Sequence, residues 1–280
     1  MQYGIVESAL GPDRDARFAL AREMGFDGVE LMFSALDYEQ LHLWTIPGAA
    51  RVRRLATDAG VALPSVCATY FNWYGFVSDD AAVRRQSLDV LHRLCETAAE
   101  AGLRTILIPC FGAGEICSGN ATHHARIVEA LAACADHAEA RELILGLEAT
   151  LPAQELIELV RQVDHPAVQV YFDTGNVVPV GYDPAQELLA LGPYLCQVHM
   201  KDRRRDGETV ALGSGDVDFS AVARALHTLR YDGWLVLETP GGQDYCHAAA
   251  QNLHVIRRIV TEIMDVPDPG LSSTEEQRHG

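Results

Sequence analysis

"AEAGLRTILI", residues 99–108, carries a helix-compatible stretch up to a glycine and then turns directly into an apolar run. The same phrase returns in "AREMGFDGVEL" (21–31), "TDAGVALPSV" (57–66), "EARELILGLE" (139–148), "VDHPAVQVYFD" (163–173), "LGPYLCQVH" (191–199) and "LRYDGWLVLE" (229–238). With the N-terminal run included, apolar stretches begin near residues 3, 28, 61, 105, 143, 168, 195 and 234, which makes eight units roughly 33 residues apart. Runs this apolar read as strands covered on both faces, and a parallel pair of such strands needs a helical crossover. Gly25, Gly60 and Gly102 stand where helix C-caps belong. Residues 81–101 set Val83, Leu88, Leu91, Leu94 and Cys95 at helical spacing among charges. The pattern predicts one α/β domain over residues 1–264, a single (β/α)8 TIM barrel. An open doubly wound sheet is the competitor, but no glycine-rich dinucleotide fingerprint follows the first strand. Residues 265–280 are proline-broken and then polar, and are predicted to be a disordered tail.

Composition narrows the function classes. An apolar fraction of 48% and a charged fraction of 22% are those of a soluble globular protein. A formal charge of -17 repels polyphosphate and anionic lipid over most of the surface, which disfavours nucleic acid and membrane partners. The 7 cysteines are odd in number, scattered and without a C-x-x-C pair, as in a reduced cytosolic chain. The start "MQYGIVESAL" lacks a secretion signal, and no run approaches about 18 apolar residues. A cytoplasmic protein, with homo-oligomerisation open, is expected.

In a barrel the chemistry collects where the strands end, because the β-to-α loops meet there. The last four apolar runs end at Glu148, Asp173, His199 and Glu238. One acid after a strand reads as a helix cap, and one histidine as a rim group. Four such residues on four consecutive strands converge on one point and predict a metal site. Three carboxylates and one imidazole suit one divalent ion, Mn2+ or Mg2+ foremost, with Co2+ or Zn2+ also able to bind.

These residues carry a resemblance. Glu148, "FDTGN" (172–176), "VHMKD" (198–202), "GSGDVDF" (213–219) and "LVLET" (235–239) resemble the xylose-isomerase-like TIM-barrel superfamily of sugar isomerases, epimerases and endonuclease IV, over residues 1–262. The resemblance implies that Glu148 and Glu238 move protons from opposite sides of the substrate while Asp173 and His199 mainly ligate. It implies that Arg205, six residues after His199, contacts substrate oxygens, and that Lys201 and Asp202 belong to the following loop. Two positions depart from it. Asn176 stands where many epimerases and endonuclease IV carry a histidine; it can bond a sugar hydroxyl but argues against a multinuclear site. Gln154, where some epimerases have a second Glu, is a hydroxyl contact and not a base.

Other loops supply candidate walls. "TYFNWYGF" (69–76) offers Tyr70, Asn72, Trp73 and Tyr74, whose aromatic members, Trp73 foremost, suit sugar C–H surfaces, with core packing or a dimer contact as the equal alternative. Glu7 and Glu30, at the first two strand ends, could hydrogen-bond substrate hydroxyls, but a structural role is favoured. "FGAGE" (111–115) and "GSG" (213–215) are weak phosphate-cradle candidates, and the acidic balance favours an unphosphorylated polyol.

The expected function is a divalent-metal-dependent isomerase or epimerase of a ketose or keto-polyol, working through a metal-stabilised enediolate. The alternative is a lyase on the same scaffold, inosose-dehydratase-like or a keto-sugar deglycosidase, which shares the first step. A nuclease or a non-catalytic sugar-binding protein are the readings from other classes; Asn176 and the charge oppose the first, the four ligands the second.

Overall fold

The computed structural model describes residues 1–35, 38–241 and 244–264. The expected tail, 265–280, lies outside the described residues. Among the described residues ten strands form: β1 (Gln2–Val6), β2 (Gly28–Met32), β3 (Ser65–Cys67), β4 (Thr105–Pro109), β5 (Ile144–Glu148), β6 (Val168–Asp173), β7 (Leu195–Met200), β8 (Asp202–Arg203), β9 (Thr209–Val210) and β10 (Trp234–Leu237). The short β8 and β9 pair antiparallel in the loop after β7. The other eight close a parallel barrel in the order β1-β10-β7-β6-β5-β4-β3-β2. Around it run α1 (Arg17–Glu23), α2 (Ile46–Ala59), α3 (Ala81–Ala101), α4 (Ala121–Glu139), α5 (Ala153–Val163), α6 (Pro184–Leu191), α7 (Phe219–Thr228) and α8 (Tyr245–Met264). The predicted (β/α)8 barrel is therefore the observed fold.

Local chemistry sets the boundaries. Asp80, Asn120, Asp183 and Asp218 cap α3, α4, α6 and α7 by accepting backbone N–H bonds of the first turn. Gly60 and Gly102 end α2 and α3 in the left-handed region, at φ 72° and 82°. The third apolar run starts at Val61, but its strand starts only at Ser65. Ala62 makes an isolated parallel bridge to Gly28, and Pro64, lacking an N–H, interrupts the ladder before it resumes.

The strand wall separates two interiors. Ile5, Val29, Leu31, Val66, Ile106, Ile108, Leu145, Leu147, Val170, Phe172, Val198 and Leu235 belong to the apolar layer between sheet and helices. Their neighbours point the other way, as the two-residue period of a strand requires. Inside the barrel Cys67, Leu107 and Tyr171 form a small apolar cluster. Beside it lies a buried polar layer of Glu30, Ser65, Tyr171 and Gln197. No helix among the described residues is long and apolar enough to cross a membrane.

Candidate metal centre

Glu148 and Asp173 are the last residues of β5 and β6, and Asp173 lies in register with His199 of β7. Glu238 follows β10 immediately, its N–H donating to Met200 O. A carboxylate oxygen of Glu148, one of Asp173 and a ring nitrogen of His199 all lie within 4.8 Å of one another. His199 Nδ1 is 3.7 Å from Asp173 Oδ2 and 3.1 Å from Glu238 Oε2. The four strand-end residues are thus brought together.

Each is aimed by what lies behind it. Asp173 Oδ1 accepts the N–H groups of Gly175 and Asn176 at 2.7 and 2.8 Å, which turns Oδ2 into the cluster. Asn176 Nδ2 donates to Glu148 Oε1 at 2.9 Å. Among the described residues, Asp173 Oδ2 and His199 Nδ1 are buried atoms without a hydrogen-bond partner. Two buried polar atoms that face one point, each with a charged neighbour but no hydrogen bond, suit a ligand. An oxygen-rich donor set with one imidazole fits a hard divalent ion there.

The two glutamates are electrostatically unlike. Burial, with Asp173 beside it, pushes the Glu148 carboxyl up to about 8. Burial also presses Glu238 upward, but the His199 ring and the Lys201 ammonium outweigh it and hold that carboxyl well below the usual range. His199 is depressed by burial, yet Glu30, Asp173 and Glu238 together raise it well above its ordinary value.

The other expected contacts separate. Arg205 is exposed and lines a cavity of about 420 Å³ with Tyr182, Asp216 and Asp218. Arg203 is the arginine that reaches toward the cluster, its Nη1 donating to Asn176 Oδ1 at 3.3 Å. Gln154 is exposed on α5 and bonds Glu158, one turn along. Trp73 is 68% exposed, whereas Tyr70 is core, packed against Phe33, Tyr38 and Phe71. Asn72 Oδ1 braces the β4 loop by accepting Phe111 N–H.

Both glycine stretches spend N–H groups on the fold itself. Gly213, Gly215 and Val217 donate their N–H groups to the buried Asp202 carboxylate, which therefore ties down the loop and is not itself a loose loop residue. Gly114 N–H donates to Phe111 O, and a Cβ on Gly114 would lie 2.1 Å from Phe71 O. Gly114→Ala is expected to cost about 1–3 kcal/mol, read as a lower denaturation midpoint. A midpoint equal to wild type would show that this loop is loosely packed.

A family model described as xylose isomerase-like TIM barrel matches residues 18–259. The chain belongs to the xylose isomerase-like TIM barrel family. Within 232 aligned residues it is 34% identical to the 2-epi-5-epi-valiolone 7-phosphate 2-epimerase of Actinoplanes sp., covering 82% of each chain. It is 28% identical over 240 residues to an L-ribulose-5-phosphate 3-epimerase of Salmonella heidelberg, covering 82% of this chain and 83% of that one. A solved L-ribulose 3-epimerase superposes with a TM-score of 0.81 at 18% identity, over 94% of this chain and 95% of that one, a likeness of fold.

In this member of the xylose isomerase-like TIM barrel family, Glu30, expected from its strand end to be structural, and Lys201 both stand behind the cluster. Glu30 accepts Nε2–H of His199 at 2.8 Å, so Nδ1 is the nitrogen left for the cluster. Its other oxygen accepts from Ser65 at 2.5 Å and Tyr171 at 2.8 Å, and Gln197 Nε2 donates to both of those hydroxyls. Lys201, placed by the sequence reading in the following loop, turns back so that its ammonium lies 2.8 Å from Glu238 Oε1. The signal for Glu30 and Gln197 was a polar residue inside an apolar run, "GVELM" and "CQVH". Glu30→Gln puts an amide N–H among three donors, and is expected to weaken divalent-metal binding about 10–100-fold by calorimetric titration. Unaltered affinity would show that Glu30 does not orient His199.

Proposed function

We propose that the chain is a divalent-metal-dependent epimerase, and so an isomerase, of a ketose or keto-polyol, reacting through an enediolate. The observation that carries this reading is the convergence of Glu148, Asp173 and His199, with Glu238 beside His199, on Asp173 Oδ2 and His199 Nδ1, which have no hydrogen-bond partner. The relatives at 34% and 28% identity support it, since the two are named as epimerases of phosphorylated, sugar-like substrates. Those four residues would hold one ion, Mn2+ suiting the oxygen-rich set, and the ion would polarise the substrate carbonyl and offset the charge of the enediolate.

The remaining work belongs to the chain. Two strands, β6 and β7, separate the strands that carry Glu148 and Glu238, so the two carboxylates flank the cluster. One takes the proton from the carbon beside the carbonyl and the other returns a proton to the opposite face, which inverts that carbon. Asn176 fixes Glu148 from behind, and Arg203 fixes Asn176. Arg203 is accordingly a stronger candidate than Arg205 for an influence on the reacting end of the substrate. The relatives' names move the substrate expectation toward phosphorylated ketoses, against the preference drawn from net charge.

The test is turnover in D2O by Mn2+-loaded protein offered L-ribulose 5-phosphate, a phosphorylated keto-cyclitol and D-psicose, read by NMR and mass. An epimer carrying deuterium at the inverted carbon supports the reading. A product one water lighter than its substrate replaces it with the lyase. Failure to retain an ion at about one equivalent per chain removes its metal.

A further inference from the structure

The segment "FDTGN" is built around a lysine. Thr174 Oγ1 donates to Lys201 O at 2.8 Å and accepts Lys201 N–H at 3.0 Å, which locks the backbone of Lys201 to the end of β6. A Cβ on Gly175 would lie 3.0 Å from Lys201 Cγ, so glycine there leaves the path of the lysine stem open. The stem brings its ammonium to a place where the side chain is only 13% exposed, 2.8 Å from Glu238 Oε1 and 3.8 Å from Asp173 Oδ2. A cation this enclosed, with its backbone bonded in two places, is not a solvated loop charge.

The consequence lies in what each glutamate has left. Lys201 occupies Oε1 of Glu238, while Oε2 faces His199 Nδ1 at 3.1 Å. Glu148 Oε1 instead holds the neutral amide of Asn176. An ammonium fixes the orientation of a carboxylate more firmly than an amide does, because charge assistance roughly doubles a hydrogen bond.

We infer that Lys201 is a positioning residue that clamps Glu238 in one orientation at the metal centre, more firmly than the neutral amide of Asn176 holds Glu148, so that the two glutamates are unequally held. This rests on the proposed function for its catalytic meaning, but the clamp itself can be tested without substrate.

The experiment is a double-mutant cycle of Lys201→Met and Glu238→Gln on the full chain, run three ways. Unfolding in EDTA reads the pair in the metal-free chain, and the single effects should depart from additivity by about fivefold or more in the unfolding constant, as contacting charges do. The same cycle on the Mn2+ dissociation constant should show coupling of similar size, since the clamp persists with the ion in place. With an epimerisable substrate, Lys201→Met should lower kcat about 10–100-fold with KM within threefold, and Lys201→Arg should restore part of kcat. Lys201→Gln serves where the Met variant is poorly folded.

Additivity within twofold in EDTA overturns the clamp whatever the protein's activity. Coupling in EDTA that vanishes with Mn2+ also overturns it, because the lysine would then leave Glu238 when the ion enters. A folded Lys201→Met variant with kcat within twofold of wild type does the same. Absence of Mn2+ binding and of turnover in the wild-type chain, with the EDTA coupling intact, instead removes the proposed function and leaves the pair standing as an ion pair of the fold.

Discussion

Glu148→Gln is expected to lower turnover at least a hundredfold while metal content stays near one ion per chain. Glutamine keeps an oxygen for coordination and nearly the same shape, so the cluster can still assemble, but the amide does not accept the proton. General acid–base groups are worth about 10²–10⁴ in rate, and a residual activity above about a tenth of wild type would mean that Glu148 only ligates. The substitution carries a second signature in EDTA. The folded-state pKa of Glu148 lies at about 8, above the ordinary 4.5, so the metal-free folded chain favours the protonated acid. Its contribution to stability is full below the unfolded pKa and is lost as pH rises through the folded one. Metal-free wild-type protein should therefore lose stability between about pH 5 and 8, on the order of several kcal/mol, and Glu148→Gln should flatten that slope. Parallel slopes for the two proteins would show that burial at Glu148 is relieved by water.

His199→Ala should remove metal and activity together. The imidazole is the one nitrogen donor, and its loss exceeds the roughly 10–100-fold penalty for disturbing a ligand's supporting contact. It also strands Glu30, whose buried Oε1 loses the Nε2–H that it accepts. Breaking a buried charged pair on one side costs on the order of 3 kcal/mol, so the variant should melt earlier even in EDTA. Elemental analysis after dialysis and a melting curve check the two effects separately. Unchanged metal content would place the ion elsewhere.

Much of this was legible in the order of residues. Buried parallel strands must be apolar and must alternate with helices, so the barrel and its last four strand ends could be located from runs such as "LILGLE" and "VQVYFD". The third strand was misplaced because Val61 and Leu63 are as apolar as strand residues, while the missing N–H of Pro64 decides where the ladder resumes. Substrate-side expectations fared differently, since a count of six residues from His199 leads to Arg205, and the β8–β9 ribbon sends Arg203 inward instead. The partner of Glu30 and the place of Lys201 were hidden for opposite reasons. Glu30 touches a residue 169 positions away, a separation no local pattern encodes. Lys201 stands two positions after His199, but a lysine entering a charged stretch reads as solvated until the Thr174 and Gly175 contacts are known.

The bond between Glu30 and His199 has a bearing on how the chain is made. It joins β2 to β7, and Gln2 pairs with Trp234 across nearly the whole sequence. During synthesis the first half of the ring must wait, with the carboxylate of Glu30 and the hydroxyl of Ser65 lacking their final neighbours, until β7 and β10 have emerged. Ion uptake would then report completion of the ring rather than the presence of any one segment. A chain severed between α4 and β5 would leave all four donors on the C-terminal fragment and the carboxylate that orients the imidazole on the other. Recovery of tight Mn2+ binding only when both fragments are mixed would make the ion a direct gauge of ring assembly.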